Sequence, residues 1–356
     1  MTMMGAYLPG DSTVALRPLA VPTPGHGEVV LRVKAATICG SDIRAIYRQH
    51  LGTGAEAYQN VVAGHEASGV VDAVGPGCRQ LAVGDRVLVY HISGCGLCAD
   101  CRRGYMISCT SPLRRAYGWQ RDGAMAEYLL AEEKDLILLP PSLSYADGAQ
   151  VACGFGTAYE GLRKLGVSGD DAVLVVGLGP VGLAAAVLSK ALGAPLVIGV
   201  DVSAERAALA QSLGACDETV GGAADPLAEV RRLVGRSGGV SRAVDCSGSA
   251  PGRALALQAT GSRGRVVLLG EGGDMTFMPS PDLLHGQKTI FGSWVTSTWL
   301  MMELVERLAD WGLHPADLIT HRFALADASD AYALMASGRS GKVAVCFDEE
   351  LAPPPH

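Results

Sequence analysis

Four cysteines fall within one fifteen-residue stretch, Cys95-Gly-Leu-Cys98-Ala-Asp-Cys101, with Cys109 after seven intervening residues. Four thiolates at this density suit a closed tetrahedral zinc site. A bacterial iron–sulfur run has three residues before its fourth cysteine and a proline directly after it, whereas here Thr110 follows a seven-residue gap. A four-thiolate site leaves no coordination position for a substrate. The chemistry therefore points to a structural role, clipping a loop that has little core of its own.

A second group is Gly64-His65-Glu66-Ala67-Ser68-Gly69, preceded at a distance by Cys39-Gly40-Ser41-Asp42. A histidine met alone is more often a satisfied structural residue than a ligand. A catalytic zinc, however, keeps three protein ligands and one open position, and two cysteines with one histidine are a known set. Cys39 and His65 supply two such ligands, and Cys153, in Cys153-Gly-Phe-Gly-Thr157, is a candidate third that spacing alone leaves open.

The third group is Val173-Leu-Val-Val-Gly177-Leu178-Gly179-Pro180-Val181-Gly182, an apolar run into G-x-G-x-x-G and then a helical pattern, with Asp201 nineteen residues after Gly182. A glycine triplet alone would mark only a tight turn. In this context the first glycine makes the turn, the second lets backbone approach a pyrophosphate, and the third packs helix on strand. The helix N-terminus offers free N–H groups to the phosphates. An acid at position 201 accepts the adenosine ribose hydroxyl pair and repels a 2′-phosphate, which favours NAD over NADP.

The elements that must position these groups change character along the chain. From Glu28 to about residue 153 short alternating runs, such as Val29–Val33 and Val83–Val89, are punctuated by Gly and Pro and read as mainly antiparallel strands. Apolar strands then alternate with Ala- and Leu-rich helical patterns: Ala172–Val176, Pro180–Leu192, Leu196–Val200, Ser203–Leu213, Arg242–Asp245 and Arg265–Leu269. That alternation implies β-α-β units on a parallel sheet. Beyond about residue 293 the regularity ends: a helix near Leu300–Trp311, a strand at Ile319–Phe323 and a last strand at Gly341–Phe347 are expected to rejoin the first domain, with Pro353–Pro355 as a frayed end.

At 356 residues the chain has room for two domains. Its net charge of -7, without a block of Lys and Arg, opposes a nucleic-acid footprint. Residues 172–189 carry no charge, but Gly177, Gly179, Pro180 and Gly182 break the run, so no membrane span is expected. The N-terminal residues have no export or transit pattern. A cytoplasmic setting follows, in which ten cysteines speak for metal binding rather than disulfides. Cys78, Cys216, Cys246 and Cys346 have no partner at ligand spacing and read as ordinary small residues, mostly buried.

With all three groups in order, the chain resembles the zinc-containing medium-chain alcohol dehydrogenases over nearly its whole length. Residues 64–69 continuing through Val74-Gly75 look like the family's zinc signature, Cys95 to Cys109 like its structural-zinc loop, and Gly177–Gly182 like its coenzyme fingerprint. The resemblance implies an α/β chain: a GroES-like β-barrel catalytic domain over residues 1–153 and 294–356, around a Rossmann NAD-binding domain over 154–293, with the active site between them. It implies two zinc ions per chain and a homodimer or homotetramer joined partly through the Rossmann sheets. Cys39, His65 and Cys153 would hold the catalytic zinc, Glu66 would be a neighbouring or exchangeable ligand, and Ser41 would receive the substrate proton. Arg206 resembles the basic residue near the adenosine ribose.

The implied reaction passes hydride between a primary or secondary alcohol and NAD, with zinc lowering the pKa of the alcohol. Arg44 stands where some members carry a histidine that ends the proton relay, and the segment between Cys39 and His65 is longer than in short-substrate members. Cys153, a glutamate in many polyol dehydrogenases of the family, leans toward simple alcohols. Tyr47, His50, His91, Trp119, Trp294 and Trp299 are candidate walls, each of which would equally serve packing. A polar His91 would suit a hydroxylated substrate, so a polyol or threonine-like amino-alcohol dehydrogenase is the alternative. Zinc-lacking quinone and enoyl reductases share the plan but lack the ligands, and an NAD-binding thiol or metal sensor would leave Ser41, His65 and Asp201 unexplained.

Overall fold

Glu28–Thr37 is buried along nearly its whole length, as a strand with neighbours on both sides must be. It pairs antiparallel with Glu66–Val74, with Tyr128–Glu132 and with Lys342–Cys346. With Tyr128–Glu132 paired to Glu28–Thr37 off the main path, the seven-stranded sheet runs Ile319–Phe323, Lys342–Cys346, Glu28–Thr37, Glu66–Val74, Arg86–Val89, Leu136–Leu138. Two register shifts interrupt the pairing of Glu28–Thr37 with Glu66–Val74 and bend the sheet around its core of Val, Leu, Ala and Tyr side chains. The computed structural model describes residues 1–235 and 238–351, so Pro353–Pro355 lies outside the described residues.

The chain divides into two units, Met1–Gly156 together with the chain from Ser297 onward, and Thr157–Thr296. Ala344, in the strand Lys342–Cys346, pairs with Thr37 across the sheet.

In the second unit six parallel strands lie in the order Glu218–Gly221, Leu196–Asp201, Ala172–Val176, Val240–Asp245, Thr260–Leu268, Thr289–Gly292. In sequence rank this is 3-2-1-4-5-6, the doubly wound dinucleotide-binding order, whose chain reversal falls between the first and fourth strands. Ser203, Asp225 and Ser249 cap the helices Ala204–Ser212, Pro226–Val234 and Ala250–Ala259 through side-chain oxygens. The uncharged run splits into a strand, Ala172–Val176, and a helix, Pro180–Ala191. Among the described residues no helix is long and apolar enough to cross a membrane.

Candidate metal and coenzyme sites

Sheet register builds the first site. Thr37 and Glu66 are direct cross-strand partners, and Lys342 lies two residues before the Ala344 that pairs with Thr37, on the same face of its strand. Glu66 Oε2 accepts from Thr37 Oγ1 at 2.5 Å and from Lys342 Nζ, and all three residues are buried. Glu66 Oε1 is buried without a hydrogen-bond partner among the described residues. A Cβ built on Gly154 would lie 4.0 Å from it, which sets this oxygen beside the segment that carries Cys153. Burial pushes the Glu66 carboxyl up to about 7 against the pull of Lys342.

Ligand atoms of Cys39, His65, Glu66 and Cys153 all lie within 4.8 Å of one another. Cys153 sits in a single π-helical stretch, Val151–Phe155, between the helices Tyr145–Gln150 and Gly156–Leu165. Such stretches recur at functional sites. Asp42, fully buried, ties two members together: Oδ1 holds His65 Nδ1 at 2.9 Å and Oδ2 accepts from the Cys39 backbone N–H at 3.0 Å. With Nδ1–H donated to the carboxylate, the other ring nitrogen keeps its lone pair for a cation. A tetrahedral zinc with Zn–S near 2.3 Å holds two thiolates about 3.8 Å apart. The Cys39 and Cys153 sulfurs are 4.0 Å apart, so the donor set fits the ion. The Cys39 thiol is held well below its usual range, first by the Cys153 S–H that donates to it and then by His65.

The four thiols of Cys95, Cys98, Cys101 and Cys109 form a second cluster within the same 4.8 Å limit. Backbone N–H groups point at sulfur within it: Cys98 to Cys95 at 3.4 Å, Cys101 to Cys98 at 3.5 Å and Cys95 to Cys109 at 3.4 Å. The N–H groups of Leu97 and Cys98 lower Cys95 to about 6, which favours the thiolate a metal needs. Cys216 and Cys346 are buried, and Cys78 and Cys246 half-buried, apart from both clusters.

At the turn after Ala172–Val176 the glycines divide the work by geometry. Gly177 has φ +91°, and a Cβ there would stand 2.7 Å from the Ser247 backbone nitrogen. A Cβ on Gly182 would meet the Gly177 carbonyl oxygen at 1.8 Å, whereas one on Gly179 would meet nothing within 4 Å. The first and third glycines are therefore demanded by the fold, and the second leaves open space at the start of the helix Pro180–Ala191. Asp201 is buried at the end of the next strand. Its Oδ2 accepts from Leu178 N–H at 2.8 Å and its Oδ1 from Ser203 N–H at 2.9 Å, and Arg206 stands 4.0 Å away. Each oxygen retains a second lone pair for a ribose hydroxyl.

Ser41 is half-buried in the short helix Gly40–Asp42, which Cys39 immediately precedes. The residues read as substrate walls separate. His91 is buried, its ring centroid 5.0 Å from that of His65, and its Nδ1–H donates to the Ala152 carbonyl at 2.7 Å. Tyr47, by contrast, packs in the core of the first unit with its ring 5.5 Å from Tyr332, because the π-helical turn Ile43–Tyr47 directs it inward. His50 is tied to the Leu8 carbonyl at 2.8 Å. Trp119 packs on the edge of the same core, Trp294 is 59% exposed, and Trp299 is an exposed side chain beside Gly104. Sequence reasoning assigned nothing to Asp42, Thr37 or Lys342. Asp42 had a signal, an acid three residues after Cys39.

Residues 25–141 match the family model described as alcohol dehydrogenase GroES-like domain, and residues 180–311 match that described as zinc-binding dehydrogenase. The chain belongs to the zinc-containing medium-chain dehydrogenase family. It is 55% identical to an uncharacterized zinc-type alcohol dehydrogenase-like protein, YphC, of Escherichia coli strain K12, over 98% of this chain and 99% of that one. An L-threonine 3-dehydrogenase of Edwardsiella ictaluri is 31% identical over 94% of this chain and 97% of its own. A solved structure from Sinorhizobium meliloti 1021 bound to NADP superposes with a TM-score of 0.86 at 26% identity, covering 98% of this chain and all of that one.

Proposed function

We propose that this chain is a cytoplasmic, NAD-linked alcohol dehydrogenase, with one catalytic zinc on Cys39, His65 and Cys153 and one structural zinc on Cys95, Cys98, Cys101 and Cys109. The reading rests above all on two thiols and an imidazole that converge, with Glu66, within 4.8 Å of one another, a set that would hold a zinc ion. When bound, zinc supplies Lewis acidity to that oxygen and the nicotinamide accepts the hydride.

The chain's own groups do the rest. Asp42 fixes the His65 tautomer and the Cys39 backbone, so the donors are oriented before a cation arrives. Lys342 and Thr37 hold Glu66 by one oxygen and leave the other beside the thiols as an exchangeable donor. Ser41 Oγ takes the alcohol proton and releases it toward the coenzyme ribose and water. Arg44 does not accept it, since a guanidinium stays charged. Gly179 and the helix behind it receive the pyrophosphate, and Asp201 with Arg206 receives the adenosine ribose, which favours NAD over NADP. The chain acts as a homodimer or homotetramer.

A second reading within the family, a polyol or amino-alcohol dehydrogenase, is favoured by His91. Burial pushes its imidazole down to about 3, so it stays neutral, and with Nδ1–H committed to Ala152 the second ring nitrogen is an acceptor for a substrate hydroxyl or ammonium. The L-threonine 3-dehydrogenase relative agrees with that chemistry.

One experiment separates the readings: zinc analysis of the purified chain, followed by coenzyme reduction with aliphatic, aromatic, vicinal-diol, amino-alcohol and cyclic polyol substrates, using both NAD and NADP. Two zinc ions per chain and NADH formation are expected. Bound zinc and NAD without turnover across the panel would instead support a sensor.

A further inference from the structure

Arg114 and Arg115 lie a few residues past the last structural thiol, Cys109, and the fold treats them in opposite ways. Arg115 is exposed and spends its guanidinium on the carbonyls of Pro112 and Arg114. The Arg114 side chain is only 13% exposed, and its Nε is buried with no hydrogen-bond partner among the described residues. Its Nη1 donates to Glu56 Oε2 at 2.9 Å, and that glutamate side chain is 76% exposed. An ion pair whose acid stands in water contributes little stability. A buried charged N–H without an acceptor costs more than that pair returns.

Holding the Gly54–Glu56 turn does not explain the arrangement, because other bonds already hold it. Gln120 donates to the Glu56 carbonyl at 2.9 Å, Gln59 donates to the Gly54 carbonyl at 3.0 Å, and the Gln59 backbone N–H donates to Trp119 at 2.8 Å.

The backbone that carries Arg114 also joins the segment that carries His91. The two-stranded ribbon pairs Ile92 with Ala116 and Ser93 with Arg115, and Tyr117 N–H donates to the His91 carbonyl at 3.0 Å. Arg114 therefore directly precedes the ribbon strand Arg115–Ala116, which lies against the residues following His91, whose ring neighbours His65. Its charge is felt there, adding to the depression of the His91 imidazole.

We propose that Arg114 is a substrate-recognition residue that binds an anionic group, a carboxylate or a phosphate, carried by the alcohol substrate. Its planar fork matches either anion through two parallel N–H bonds, and Glu56 marks the position such an oxygen takes. The inference rests on the alcohol dehydrogenase reading and narrows its substrate to alcohols that carry an anion.

The test compares charged and neutral partners of the same alcohol, L-threonine with L-threonine amide and a sugar-alcohol phosphate with the free sugar alcohol, in zinc-loaded wild type, R114K and R114Q. Wild type is expected to prefer the charged partner, the better of the two pairs telling carboxylate from phosphate. R114Q is expected to lose that preference by on the order of 10- to 100-fold, mainly in KM, with R114K recovering part and the neutral partners changing little. Equal losses on charged and neutral partners in R114Q, or a wild type indifferent to charge, would overturn the proposal. A second measurement stands apart from turnover: calorimetric titration of wild type and R114Q with inorganic phosphate and with acetate. Weaker anion binding by R114Q supports the site even if no alcohol is oxidised, an outcome that would sink the dehydrogenase reading alone. Equal anion binding by both proteins overturns it.

Discussion

Replacing Lys342 by methionine removes the ammonium against which Glu66 Oε2 rests, and leaves the carboxylate at the centre of the first unit with only the Thr37 hydroxyl for company. Both members of the pair are almost completely buried, so water cannot take over the lost interaction. Removing one partner of a buried pair costs roughly 3–5 kcal/mol where the charge left behind persists, and at pH 7 the Glu66 carboxyl takes up a proton instead, which brings the loss toward the lower end of that range. The Glu66 carboxyl already stands near 7 with Lys342 in place, since burial outweighs the attraction, and losing the cation drives it higher still. The double variant E66Q/K342M has no buried carboxyl to neutralise and is expected to lose less than K342M alone, with a coupling of roughly 2–3 kcal/mol across the cycle. The assay is urea unfolding of wild type, E66Q, K342M and the double variant at pH 7 with zinc in excess throughout, reading midpoints at a common slope. If the two single losses add to the double loss within about 0.5 kcal/mol, the pair is not coupled and the argument from burial fails.

Asp42→Ala is expected to weaken zinc at the Cys39 and His65 site by about 10- to 100-fold while sparing the four-cysteine site, measured by chelator competition with each ion counted separately. Ser41→Ala should lower kcat/KM for alcohol oxidation by about 10²–10⁴ with zinc and NAD binding intact, and a near-normal rate would reduce Ser41 to packing. Asp201→Gly should erode the preference for NAD, mainly in KM, and an unchanged ratio of the two kcat/KM values would remove Asp201 from that role. The His91 imidazole, pushed down to about 3 chiefly by burial, stabilises the fold fully above its ordinary value near 6.5. That contribution is lost as pH falls toward 3, at most about 5 kcal/mol on the scale of 1.36 kcal/mol per unit. An NMR titration in which the His91 ring shows no protonation step between pH 5 and 9 is the expected result.

What could be read from the sequence was local, and the reason is physical. The turn Gly177–Gly182 declares itself because sterics demand glycine at its first and third positions, and the apolar strand and helix on either side follow in a few residues. The thiols of Cys95 to Cys109 lie close in space because they lie close in the chain. Element boundaries there came within a few residues, as with Ile319–Phe323, which matches residue for residue. Pairings that depend on sheet register escaped. Lys342 meets Glu66 only because a strand near the end of the chain lies against Glu28–Thr37, and no period in the sequence encodes that neighbour. That lysine falls inside the last strand expected at Gly341–Phe347, with nothing to mark it out, and it is among the most buried side chains of the protein.

Tyr47 shows the same dependence on geometry. An aromatic in a long segment between Cys39 and His65 serves equally as a pocket wall or as packing, and spacing leaves that choice open. The π-helical turn Ile43–Tyr47 shifts the direction of successive side chains, so that the ring enters the core beside Tyr332. The same irregularity recurs at Val151–Phe155 and there sets Cys153 facing Cys39. Composition and spacing identify residues able to bind a metal or line a pocket. Which of them turns inward is decided by one extra residue in a helical turn or by the register of a distant strand, and in this chain both devices lie within the same buried cluster.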